Sequence, residues 1–218
     1  MFYRLRDHYL LCASPERFLA KRGGRLISQP IKGTARRGAT EAEDNEIAEG
    51  LLNDQKELSE NIMITDLVRN DLSITAVRGS VQVDELTALK TYPRVHQLVT
   101  TVSSRLDSRY NWCDAIKSSF PMGSMTGAPK LRAMQLIEDL EKTRRGLYSG
   151  SVGYVTPEGD FDFNVVIRSI LYNASEKYIV VRVGGAITYD SIGENEWNEI
   201  LLKSKGMLEV LNAEIKNS

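Results

Sequence analysis

Short runs of apolar residues alternating with polar ones open the chain, at FYRL, HYLLCA, RFLAK and RLIS, with Gly23-Gly24 between the last two. This period of two predicts a set of short strands broken by turns. QPIKGTARRG, which follows, has no period and reads as a loop. Thr40 with Glu43 forms a capping-box pattern, opening a helix from about Glu41 to Asn53, and a second helix runs from about Asp54 to Arg69. SVQVDE, TALKTYP and a longer run around VHQLVTTVSSRL read as strands. Asn111 caps a short helix ending before Pro121, and the loop GSMTGAPK leads into the helix LRAMQLIEDLEK. SVGYVT and FDFNVVIRSILY flank Pro157-Glu158-Gly159-Asp160, a hairpin turn sequence. KYIVVRV then runs into Gly184-Gly185, and a last helix starts near Glu194. Strands and helices come in mixed blocks without strict alternation, which predicts an α+β fold. With no repeat and no Pro/Gly/Ser-rich linker, residues 1–218 read as one domain.

Composition narrows the class. The 218 residues are 42% hydrophobic, enough for a substantial core. Basic and acidic residues number 28 and 29, for a net charge of −1, so no global field favours nucleic acid or an anionic membrane. Cys12 and Cys113 stand far apart in no metal-like spacing, as in a reduced chain. Charges interrupt the N-terminal MFYRLRDHYLLCA, and no apolar run approaches the ~20 residues of a spanning helix, so a cytoplasmic protein is expected. Asn173-Ala174-Ser175 fits a glycosylation sequon by chance on this reading.

Two acidic pairs stand out. Glu57 and Glu60 lie three apart on one predicted helix; Glu196 and Glu199 do so on another, with Lys203 four residues on. Each pair can point two carboxylates at one place, and two such helices converging would suit Mg²⁺. In the last helix the alternative is a solvated face, because Trp197, Ile200, Leu201, Leu208 and Leu211 form the apolar stripe. Glu57 and Glu60 instead continue into Ile64, Leu67 and Val68, where a carboxylate is costly unless paired. Lys32, between Pro30 and Gly33, is either a nucleophile or an exposed loop lysine. GSMTGAPK offers glycine amides and Thr126 before a helix N-terminus, but lacks the order of a nucleotide-binding P-loop. Arg168 is either a carboxylate clamp or a surface residue, Gly184-Gly185 either a close backbone approach or a bend, and His96 either a ligand or a structural histidine. These residues describe an enzyme acting on a small anion with Mg²⁺.

Taken together, SPERF, PIKGTARRG, ENIMITDLVRNDL, FPMGSMTGAPKLRAM and DSIGENEWNE resemble, in order and along nearly the whole chain, the motifs of the chorismate-binding enzymes. That family includes anthranilate synthase component I, aminodeoxychorismate synthase component I, and the isochorismate and salicylate synthases. The resemblance implies the two-sheet α/β sandwich of the anthranilate synthase component I type. It also implies that this chain corresponds to the C-terminal catalytic part, the N-terminal strands of the sandwich falling outside it. Where anthranilate synthases read Pro-Ile-Ala-Gly-Thr, this chain has Lys32, as aminodeoxychorismate synthases do. The implied activity is amination of chorismate at C4, with Lys32 as nucleophile, Glu16 as acid, and ammonia from a glutamine amidotransferase subunit. By position, Glu57, Glu60, Glu196 and Glu199 match the acidic residues around Mg²⁺. Tyr148, Arg168, Gly184 and Gly185 match the grip on the enolpyruvyl carboxylate, and Thr34, His96, Thr126 and Lys203 match other pocket positions. The family's third glycine is replaced here by Ala186. Anthranilate synthase component I and an inactive fragment are the alternatives.

Overall fold

The computed structural model describes residues 1–189 and 191–215. Asp190, first residue of the DSIGENEWNE motif, lies outside the described residues. The chain divides into two compact units. One comprises Met1–Pro15, Arg145–Gly150 and the described residues from Val166 onward; the other comprises Glu16–Arg144 and Ser151–Val165.

The smaller unit is built on β1 (Phe2–Leu5) and β2 (His8–Cys12), joined later by β10 (Ser169–Asn173) and β11 (Tyr178–Val181), in the antiparallel order β1-β2-β10-β11. It carries the last helix, α5 (Gly193–Leu211). The larger unit holds seven antiparallel strands. β3 (Arg17–Arg22), β4 (Arg25–Gln29), β5 (Ile31–Arg36), β7 (Val95–Arg105), β8 (Ser151–Val155) and β9 (Phe161–Val165) run in the order β5-β7-β4-β3-β9-β8, and β6 (Gln82–Thr91) pairs with β7. Its helices are α1 (Glu41–Asn53), α2 (Gln55–Ser73), α3 (Trp112–Ser119) and α4 (Lys130–Leu140), with a 3-10 turn at Gly123–Met125. The mixed composition and two antiparallel sheets meet the α+β expectation.

The core of the larger unit is the inner face of its sheet. Leu19, Leu26, Leu98, Val102, Phe161 and Val165 are fully buried, and α2 lays Ile64, Val68 and Leu72 into the interior. Burying each such side chain contributes about 1.5–3 kcal/mol. Asp54 caps α2, its carboxylate accepting from the amides of Lys56 and Glu57, and α3 carries a full capping box from Asn111 and Asp114. Thr40 caps α1 as expected, accepting from the Glu43 amide. Cys12 and Cys113 are both free. Asn173 is buried in β10, a poor place for a glycan. No helix among the described residues is long and apolar enough to cross a membrane.

Four expectations are corrected. PIKGTARRG is not a loop: Ile31–Arg36 forms β5 and pairs with β7, and a register shift between Ile31 and Thr34, with Gly33 at φ +84, hides the period of two. SVQVDE and TALKTYP are one strand, β6, kinked by register shifts around Glu85. FDFNVVIRSILY is two strands in different sheets, broken where Arg168 turns to φ +50. In α5 the burial runs against the apolar stripe: Glu196 and Met207 are buried, whereas Trp197 is half exposed.

Candidate active site

Lys32 sits on β5, where the bulge and the left-handed Gly33 turn the strand toward α2. Its Nζ donates to Glu60 Oε2 at 3.2 Å. Both side chains are largely buried, so the pair is held in a medium where charge interacts strongly. Glu57, one turn earlier on α2, reaches the same strand: a Cβ at Gly33 would stand 3.3 Å from Glu57 Oε2. Only a glycine lets β5 pass this close with that backbone.

Glu16 closes the other side of this unit. It is 5% exposed, its backbone carbonyl accepts from the Val165 amide at 3.1 Å, and burial pushes its carboxyl up to about 7. The Ser124 hydroxyl and the positive charge of Lys32 pull in the opposite direction without overcoming burial. A carboxyl poised near neutrality beside a lysine is the pattern of a general acid working with a nucleophile.

Thr34 is exposed on β5, and its hydroxyl accepts from Gln97 Nε2 at 3.4 Å. Thr126 turns its hydroxyl onto the Met122 carbonyl at 3.1 Å, bracing the glycine loop. His96 is 2% exposed and engaged at both ring nitrogens, with Thr91 Oγ1 and with Asp44 Oδ1, each at 2.9 Å. Asp44 is gripped in turn by two Arg37 nitrogens at 2.8 and 2.7 Å and by the Gly38 amide at 2.8 Å. His96 thus pins β7 to the first turn of α1.

In the smaller unit the second set gathers. The Tyr148 hydroxyl faces Gly184, where an added Cβ would come within 2.8 Å of it. Lys203 Nζ donates to the Gly184 carbonyl at 3.2 Å and pairs with Glu199. Arg168, turned by its left-handed backbone, donates from Nη1 to the Lys203 carbonyl at 3.1 Å. Burial pulls the Arg168 guanidinium down, against the charges of Glu199 and Tyr148. Glu196 and Glu199 both turn toward Gly185: a Cβ there would lie 3.2 Å from Glu196 Oε2 and 3.9 Å from Glu199 Oε2. Ser191 Oγ donates to Glu196 Oε1 at 2.8 Å. The smaller unit therefore joins a tyrosine hydroxyl, a guanidinium, open glycine backbone and two carboxylates, the chemistry that receives a carboxylate and a hard cation.

The four glutamates fall as two pairs, Glu57 and Glu60 in the larger unit and Glu196 and Glu199 in the smaller. Among the described residues no three His, Cys, Asp or Glu side chains form a metal-type cluster. Sequence reasoning overlooked Asp44, Ser124, and the buried Asp71–Lys130 ion pair, whose atoms lie 2.6 Å apart. Asp71 and Lys130 fall inside ENIMITDLVRNDL and FPMGSMTGAPKLRAM, but they stand 59 positions apart, and no local period links them.

Comparison with known proteins gives the family and the fold. A profile of the chorismate binding enzyme family matches residues 1–209. Anthranilate synthase component 1 of Aquifex aeolicus is 41% identical over 199 residues, covering 91% of this chain and 40% of that protein. Aminodeoxychorismate synthase component 1 of Bacillus subtilis is 40% identical over 205 residues, covering 94% and 43%. The chain thus spans less than half the length of these curated relatives. The crystal structure of anthranilate synthase component I from Streptococcus pneumoniae TIGR4 superposes with a TM-score of 0.83 at 36% identity, covering 95% of this chain and 45% of that one. The fold is therefore of the anthranilate synthase component I type, and the chain belongs to the chorismate binding enzyme family.

Proposed function

We propose that this chain aminates chorismate at C4 to give 4-amino-4-deoxychorismate, using ammonia from a glutamine amidotransferase subunit. The observation that carries the reading is Lys32, in Pro30-Ile31-Lys32-Gly33-Thr34, in the same unit as a Glu16 carboxyl pushed up to about 7. Lys32, as the free amine, forms a bond to C2 while the ring double bond shifts. The C4–O bond breaks, and Glu16 gives its proton to the departing oxygen, which leaves as water. Ammonia then bonds to C4, the double bond shifts back, and the C2–N bond to Lys32 breaks. Two allylic displacements place the amine para to the ring carboxylate, where direct attack at C2 would place it ortho. In the smaller unit, Tyr148 and Arg168, with the backbone at Gly184 and Gly185, are assigned to the enolpyruvyl carboxylate, with Lys203 beside them. In the larger unit, Thr34 and Thr126 match pocket positions by their motifs, and His96 fixes β7.

Mg²⁺ fits the donors present. Glu57, Glu60, Glu196 and Glu199 offer only oxygen, and Glu60 and Glu196 are buried, where a carboxylate gains from a cation. At Gly185 the side-chain space is left to two carboxylates. When bound, the ion would neutralise the ring carboxylate. The motif resemblance, rather than any distance in the structure, assigns direct ligation to Glu60 in the larger unit and Glu199 in the smaller.

Amination at C2 by an anthranilate synthase component I is the competing reading, supported by the 41% identity to the Aquifex aeolicus protein. Product analysis by liquid chromatography with mass detection separates them. The chain is given chorismate, Mg²⁺ and excess ammonium beside a Lys32→Ala variant. Aminodeoxychorismate that vanishes in the variant is expected; anthranilate from the unaltered chain would overturn the reading, and no product would mark an inactive fragment.

A further inference from the structure

Beside Glu16 the larger unit holds a partly open cavity of about 20 Å³, whose polar lining includes Glu16, Asp71, Ser119 and Ser124 and whose apolar lining includes Leu19 and Leu72. That is room for one water, provided polar partners surround it. Ser119 is 5% exposed, and its hydroxyl has no hydrogen-bond partner among the described residues. Its carbonyl accepts from Lys130 Nζ at 3.4 Å, and the same ammonium lies 2.6 Å from Asp71 Oδ2. Asp71 is 6% exposed, and burial pushes its carboxyl up. The Lys130 side chain is 19% exposed, so the pair leads from the cavity toward solvent.

We propose that this cavity seats one water, held by the Ser119 hydroxyl, which links the Asp71–Lys130 pair to Glu16 and returns the proton Glu16 gives up in each turnover. The inference rests on the reading of Glu16 as the acid of the amination. A buried acid that spends a proton per cycle needs a route for its replacement. The balance is one proton throughout: the pair passes one to the water, the water passes one to the Glu16 carboxylate, and the pair regains one from solvent at Lys130. Ser119, Asp71 and Lys130 touch no substrate and act by positioning and relay.

The test uses the full chain with chorismate, Mg²⁺ and ammonium. Ser119→Ala removes a hydroxyl without a partner, so it leaves the fold intact; Asp71→Asn is the companion variant. A high-resolution crystal structure of the unaltered protein is expected to show a water within hydrogen-bond distance of both Ser119 Oγ and the Glu16 carboxylate, absent in Ser119→Ala. Both variants are expected to lose about tenfold in kcat with KM unchanged, and to show a larger solvent deuterium isotope effect. A dry cavity, or a Ser119→Ala variant with unaltered kcat and isotope effect, overturns the relay. Glu16→Gln separates the two layers. If it retains full activity, the assignment of Glu16 fails and the relay falls with it. If nothing turns over in any form, the amination reading of this chain fails and the relay falls with that; if Glu16→Gln is inactive while Ser119→Ala is unaffected, only the relay fails.

Discussion

Lys32 Nζ lies 3.2 Å from Glu60 Oε2, so the proposed nucleophile and a proposed metal ligand share one largely buried ion pair. Removing one member leaves the other charge in a poor solvent, which costs about 3 kcal/mol. We expect Lys32→Met and Glu60→Gln each to lower stability on that scale. The double variant should lose less than the sum, with a coupling of about 1–3 kcal/mol by urea denaturation. Additive losses would mean that the two side chains do not depend on each other.

Glu16 sets a pH dependence of stability with a definite sign. Its carboxyl is raised from 4.5 to about 7 in the folded chain, chiefly by burial. The folded state therefore keeps its proton where the unfolded state has lost it. The stability this represents is complete below about pH 4.5 and is lost progressively as pH rises through about 7. At 1.36 kcal/mol per pH unit, the loss amounts to about 3 kcal/mol by pH 8. Glu16→Gln cannot ionise and should escape it. The melting temperature of the variant relative to the unaltered protein should rise between pH 5 and pH 8; a constant difference would show that Glu16 is not the titrating group.

The family was legible in the sequence because five motifs carry it in order along the chain, while the local geometry of the candidate site was not. Alternation found β1 to β4 because turns bound each short run, and the register shift at the start of β3 leaves its apolar run intact. It missed β5 because the bulge at Gly33 breaks the period at the very residues that present Lys32. It ran β9 and β10 together because nothing in FDFNVVIRSILY announces that Arg168 adopts a left-handed backbone. The α5 stripe misled for a related reason. Glu196 is buried against Ser191 and the Gly185 backbone, so a carboxylate occupies what the wheel reserves for solvent, and Trp197 is left half exposed. Polar residues at a site reverse the pattern that identifies a core.

The contact between Tyr148 and Gly184 makes a specific steric test. A Cβ at position 184 would meet the Tyr148 hydroxyl at 2.8 Å, and among the described residues no other side chain or backbone group comes as near. Gly184→Ala should push the hydroxyl aside and raise KM for chorismate about tenfold, the loss of one hydrogen bond to a charged group. Adding Tyr148→Phe to Gly184→Ala removes the clash, so the melting temperature should recover while KM stays high. If Gly184→Ala leaves KM unchanged, the tyrosine hydroxyl does not grip the substrate.

Asp44 offers the complementary pH test to Glu16. Hydrogen bonds from Arg37, then from the Gly38 amide, hold its carboxyl well below the usual carboxylate range, and His96 leans on the same oxygen. A depressed carboxyl stabilises the fold fully above its ordinary value, and that contribution begins to fall below about pH 4 and is lost progressively as pH drops toward the lowered folded-state value. Asp44→Asn keeps the shape but not the charge, and frees neither Arg37 nor His96 from the need for a partner. The variant should melt well below the unaltered protein at pH 7, and the gap should narrow as pH is lowered to 3. KM for chorismate should rise with it, because His96 would no longer be anchored beside β5. A gap of equal size at both pH values would mean that the carboxylate acts through its shape alone and that its charge contributes nothing to holding α1 on the sheet.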